Sequence, residues 1–151
     1  MQYSNVAALQ KKNGADRVMT TELHGRIRVC VIDTKFTAAE KDVILVRFPA
    51  GRIRILGTSQ IAAGLATGGT TIKVGYGAYK DMVFVDVPAD DDALLAATSG
   101  TDLAAPGKPM AAAGPSGLLI ESADGVDITA TLSANGAIND TITGVIFYVV
   151  D

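Results

Sequence analysis

The sequence predicts a mainly β protein: a β-sandwich or jelly-roll-like domain of about eight strands, with one short helical insertion and an N-terminal arm. Three observations predict it. Val, Ile and Thr together supply 40 of the 151 residues, and β-branched side chains suit a pleated surface better than a helix. Apolar and polar residues alternate with period two in several stretches. Gly, Pro, Asn-Gly and Asp-Gly signals punctuate those stretches at short intervals. An apolar content of 48% against 19% charged excludes a wholly disordered chain. A chain of this length buries about 70% of its unfolded surface, so it needs neither disulfide nor metal to hold a core.

Residues 1–25 read as the arm and residues 26–151 as the β-sandwich domain. The arm holds Lys11, Lys12, Asn13, Gly14, Asp16 and Arg17 with no sustained apolar period. From Arg26 the pattern alternates, with Arg26, Arg28 and Cys30 on one face and Ile27, Val29 and Val31 on the other, as in a half-buried strand. Residues 42–48 make a second strand, apolar on both faces for much of its length. Pro49-Ala50-Gly51 is a turn, and Arg52-Ile53-Arg54-Ile55 alternates again with the arginines outward. After a small-residue turn over 64–69, residues 70–76 and 82–87 read as strands.

Asp90-Asp91-Asp92-Ala93-Leu94-Leu95-Ala96-Ala97 is the helical segment, with acids where a helix N-terminus favours negative charge and Gly100 to stop it. Residues 101–117, rich in Pro and Gly, form a long connection. Residues 118–121 and 126–132 are strands on either side of a hairpin signal, Asp124-Gly125, and Asn135-Gly136 is a second such signal. Residues 141–150 are too apolar for anything but a strand inside a sheet.

Net charge of −3 argues against a nucleic-acid-binding domain. The charge is unevenly placed: residues 1–80 carry 12 Lys/Arg and five Asp/Glu, residues 81–151 one Lys and eleven acids. Either copies meet through complementary charge, or an oppositely charged scaffold does, or the halves interleave in the fold and the separation vanishes. No apolar stretch approaches the ~18 residues of a membrane span, so no membrane partner is expected. Met1-Gln2-Tyr3-Ser4 lacks the basic and apolar regions of a secretory signal, so a cytoplasmic product is expected.

The residues that usually carry chemistry are sparse. His24 and Cys30 are the one His and one Cys, too few for a zinc site, and His24 in the lead-in to a strand makes a poor triad base. Residues 64–69 are not followed by the Lys-Ser/Thr of a phosphate loop, and Gly114-Pro115-Ser116-Gly117 does not flank its serine as a nucleophile elbow does. Asp90, Asp91 and Asp92 read as helix capping rather than a calcium site. Eight Phe and Tyr with no Trp are a thin supply for a sugar groove. The expectation is a protein that is not an enzyme and takes no cofactor or metal.

Several segments, in their order, resemble the small β-sandwich structural proteins of tailed-bacteriophage heads. They are His24-Gly25-Arg26-Ile27-Arg28-Val29, Phe48-Pro49-Ala50-Gly51-Arg52-Ile53-Arg54-Ile55-Leu56, Thr70-Thr71-Ile72-Lys73-Val74-Gly75-Tyr76-Gly77, Leu94-Leu95-Ala96-Ala97, and the run from Val126-Asp127-Ile128-Thr129 to Tyr148-Val149. The similarity spans residues 22–151, and residues 79–87 lengthen the helix region relative to the family pattern. The resemblance implies a virion component, a capsid decoration or cement protein made in the host cytoplasm. Its partners would be the major capsid protein and further copies of itself as a homo-oligomer, a trimer.

No catalytic residue comes with that family. For such a role Lys11, Lys12, Arg17, Arg26 and Arg28 are placed to meet an acidic capsid surface or the acidic half of a neighbouring copy. The alternatives are a head–tail connector or tail component, and a carbohydrate-binding or host-adhesion module using Tyr76 or Tyr79.

Overall fold

The structure, a computed structural model, describes residues 27–66, 69–112, 114 and 116–150. Among them the chain forms twelve strands and no helix. These are β1 (Arg28–Lys35), β2 (Asp42–Phe48), β3 (Gly51–Ile55), β4 (Gln60–Gly64), β5 (Thr71–Tyr76), β6 (Tyr79–Lys80), β7 (Asp86–Val87), β8 (Asp90–Ser99), β9 (Lys108–Pro109), β10 (Leu118–Ser122), β11 (Val126–Leu132) and β12 (Thr141–Val150). One sheet runs β10-β3-β12-β4-β9 with β1 also paired to β12; a second runs β2-β11-β5-β8; β6 and β7 form a separate hairpin. Every pairing is antiparallel.

The two larger sheets close over one core. Ile32, Ile53, Ile55, Ile61, Ile120, Ile142 and Ile146 enter it from the first sheet, and Phe48, Ile72, Val74, Leu94, Val126, Ile128 and Leu132 from the second. Phe48 of β2 meets Tyr148 of β12 across the layers, ring centroids 4.8 Å apart at 59°, an offset arrangement that aromatic quadrupoles favour. The alternation of Arg52-Ile53-Arg54-Ile55 is seen as expected, with both isoleucines buried.

β12 is the organising strand, as its apolar sequence predicts. It pairs with β1 along one edge, and with β4 and β3 in succession along the other. The changeover between β4 and β3 leaves Phe147 without a strand partner on that edge, and the intervening turn supplies its hydrogen bonds. Leu56 N donates to Phe147 O at 2.9 Å, while the buried Ser59 hydroxyl accepts from Phe147 N at 2.9 Å and donates to Phe147 O at 3.3 Å. A serine in that place satisfies backbone groups that burial would otherwise leave unpaired.

Four expectations are corrected. The segment 90–97 is strand β8, not a helix. Ala and Leu favour helices only weakly as isolated residues, and here β5 offers a hydrogen-bonded edge on which Leu94 and Leu95 reach the core. Irregular register lets these neighbours both turn inward. Gly75 is the matching feature, because a Cβ there would collide with the Asp90 carbonyl; a glycine inside a strand marks such a close backbone approach.

Next, residues 82–87 are not a strand. Only Asp86 and Val87 pair, with Lys80 and Tyr79. The strand count is twelve, short pairs included, rather than about eight. Finally, Asp124-Gly125 and Asn135-Gly136 lie in connections whose flanking strands belong to different sheets, so neither closes a hairpin.

Candidate interaction surfaces

Of the five cations expected to make contacts, Lys11, Lys12, Arg17 and Arg26 lie outside the described residues, as does His24. Arg28 opens β1, exposed, opposite Tyr148. The charge separation along the chain does not survive folding among the described residues, because both large sheets interleave strands from the two halves. Among the described residues four ion pairs join one half to the other: Arg47–Asp127 at 3.5 Å, Arg52–Glu121 at 2.7 Å, Lys73–Asp91 at 3.2 Å and Lys80–Asp86 at 2.7 Å. Each has at least one exposed side chain, and such surface pairs contribute ~0–1 kcal/mol each.

The three carboxylates Asp90, Asp91 and Asp92 are all exposed. Since no helix starts there, the capping role falls. Asp91 instead binds Lys73, and Asp90 Oδ1 accepts from Asp92 N at 3.3 Å. Cys30 is half-buried and packs against the core. Tyr76 and Tyr79 stand edge-to-face, centroids 5.6 Å apart at 69°. Burial pushes both phenols up from their ordinary value of 10.0, helped by Asp90 at Tyr76 and by Tyr76, Asp81 and Glu121 at Tyr79. They pack against each other at the base of the β6–β7 hairpin.

Two apolar surfaces stand out where polar ones would be expected. On β1 the inward face is Cys30, Ile32 and Thr34, which leaves Ile27 at 62%, Val29 at 54% and Val31 at 73% exposure. Cross-strand pairing puts Val29 beside Phe147 and Val31 beside Val145 on the outer side of the first sheet. This reverses the face that the alternation favours: the side carrying Ile27, Val29 and Val31 is outward, and the side that Arg28 opens turns inward because it goes on to Cys30 and Ile32.

The second surface is the tip of the β6–β7 hairpin. Met82, Val83, Phe84 and Val85 are 52%, 74%, 71% and 58% exposed. They are held firmly. Asp81 Oδ1 accepts from Val83 N and Val85 N, both at 2.9 Å; Phe84 N donates to Asp81 O, and Asp81 N to Val85 O. This is a three-residue hairpin loop, a turn followed by one left-handed residue. Glycine usually occupies that last position; here it is Phe84, at φ 64°. A bulky side chain there costs roughly 1–2 kcal/mol of backbone energy. The hairpin is anchored to the body where Asp81 bridges Ser122 and Ala123 N donates to Lys80 O. The loop lacks Gly, Pro and Asn, so turn signals missed it; Asp81 at the first turn position was the readable cue.

Shallow cavities also mark the surface of the described residues. One of about 200 Å³ lies among polar side chains including Lys41, Lys73 and Asp91. One of about 390 Å³ lies along the hairpin base between Tyr79, Val87 and Asp124. The third, about 500 Å³ and mainly apolar, is formed by Leu56, Gly57 and Thr58 of the β3–β4 turn with Ala111 and Gly114. None gathers converging acids, a nucleophile with a base, or a metal-ligand set among the described residues.

With this geometry in place, the fold has a counterpart. It is shared with a chain of the cyanophage Pam1 capsid asymmetric unit, at a TM-score of 0.54 and 18% identity, covering 100% of both chains. No family model and no curated protein matches the sequence. At that identity the likeness establishes the fold, a mainly β architecture that also occurs in a phage capsid.

Proposed function

We propose that this chain is a structural protein of a bacteriophage virion, a capsid decoration or cement protein that binds the assembled head, has no enzymatic activity and takes no cofactor. The observation that carries the reading is the full-length fold match, end to end in both chains, to a chain of a cyanophage capsid unit. The motifs of a jelly-roll-like head protein, read in their order along the sequence, support it.

The surface chemistry fits such a role. A decoration protein acts by mass action: what binds the closed shell and not its dissociated parts stabilises the shell. That work needs a stiff body and apolar contact area. A strand carrying Val29 and Val31 outward and a hydrogen-bonded loop carrying Phe84 supply both. In this reading the partners are the major capsid protein and other copies of this chain, with a trimer as the assembly.

Mass spectrometry of purified particles tests the proposal. Decoration predicts hundreds of copies per particle, and absence from the particle would refute a virion role. A dozen copies would instead assign the chain to the head–tail connector or tail.

A further inference from the structure

We propose that copies of this protein join head to tail: the Phe84 tip of one copy inserts into the apolar cavity at the β3–β4 turn of the next. The inference rests on the homo-oligomeric part of the reading above and not on the capsid itself.

The two halves of the contact sit at opposite ends of one rigid ladder. β10 pairs with β3 from Leu118 opposite Ile55 to Ser122 opposite Gly51. The tip is fastened at the Ser122 end, and the cavity opens just past Ile55, at Leu56, Gly57 and Thr58. Five strand residues at ~3.4 Å each separate them, so a tip cannot reach the cavity of its own chain. Among the described residues each copy therefore carries an open socket at one end of this ladder and an exposed plug at the other.

Shape and chemistry agree. The tip presents four consecutive exposed apolar side chains, Met82, Val83, Phe84 and Val85, and contiguous apolar patches on a monomer are commonly functional. The cavity is mainly apolar and, at about 500 Å³, lies in the size range of sites that enclose small ligands, so one aromatic ring with a flanking Val or Met fits. Both partners are stiff before they meet. Asp81 fixes the loop, and Ser59, next to Thr58, ties the turn to β12. Preorganisation of this kind lowers the ordering cost of association.

Phe84 in a left-handed conformation is the remaining sign. The loop would form more easily with glycine, so the side chain is retained at a conformational cost. A contact between two different surfaces is heterologous and closes into a ring when the rotation allows, which is how a trimer would arise.

The test is a pairwise cross-link on free protein, each variant made on a Cys30→Ser background and checked for the β spectrum by circular dichroism. Phe84→Cys and Thr58→Cys proteins are mixed under mild oxidation. The expected result is a disulfide-linked pair containing one of each variant, with each variant alone staying unlinked. Linkage of Phe84→Cys to itself, or no linkage in the mixture, would overturn the proposal. A second measurement needs no cysteine: Phe84→Ser and Thr58→Trp should each weaken self-association by tenfold or more, as loss of a central aromatic anchor does. Unchanged sedimentation of both would count against the contact. Binding of the same proteins to purified heads is measured separately, so failure of the self-contact and failure of the capsid reading give different results.

Discussion

At Asp140 one carboxylate, 4% exposed, organises the approach to β12. Oδ1 accepts from Ala66 N and Oδ2 from Ala137 N, both at 2.8 Å, and Phe36 N donates to its carbonyl at 2.9 Å. The loops after β4 and before β12 are thus tied to one side chain. Nothing in the sequence marks Asp140 out from ten other acids in that half of the chain, because its role depends on loops distant in sequence. Removing an acceptor from two such N–H groups exposes their full desolvation penalty, so Asp140→Ala should cost about 2–3 kcal/mol of stability. Asp140→Asn, which keeps one acceptor oxygen, should cost clearly less. Urea unfolding followed by circular dichroism checks both; an unchanged midpoint for the alanine variant would contradict the assignment.

Strands β2 and β12 were legible as strands from their apolar, β-branched-rich runs, and in β3 and β11 the alternation fixes the face as well. β8 was not, since Asp-Asp-Asp-Ala-Leu-Leu-Ala-Ala has local helical preference that only the edge of β5 overrides. The β6–β7 hairpin was hidden by a turn built without glycine, and with it went the most exposed apolar residues of the candidate surface. Its base should respond to alkali. Tyr76 and Tyr79 hold their protons more tightly in the fold than in the unfolded chain, mainly through burial. Lys80, hydrogen-bonded to Asp86, is likewise shifted up. Groups with raised folded values give stability that is complete below their unfolded values and lost as pH climbs through the folded ones. Thermal stability should therefore fall above pH ~10, and a Tyr76→Phe/Tyr79→Phe variant should show a shallower fall. Identical alkaline profiles would contradict that coupling.

For the molecule as a whole, the sequence suggested charge as the means of contact, and the fold redirects attention to apolar surface. Interleaving of the two halves places Arg47, Arg52 and Lys73 against acids of the same chain, so the long-range separation is consumed internally. Among the described residues apolar surface also stays outward, on β1 at one edge of the first sheet and at the hairpin tip beyond the other. Monomeric proteins seldom leave such surfaces bare, and edge strands left uncovered invite pairing. A part that completes itself only among neighbours fits a shell. The most direct measurement is co-sedimentation of the purified protein with undecorated heads and, in parallel, with dissociated capsid subunits, followed by heating of the decorated shells. Saturable binding to closed heads, little binding to subunits and a higher temperature of shell disruption are expected. Equal binding to heads and subunits, or shells no more heat-resistant when coated, would contradict it.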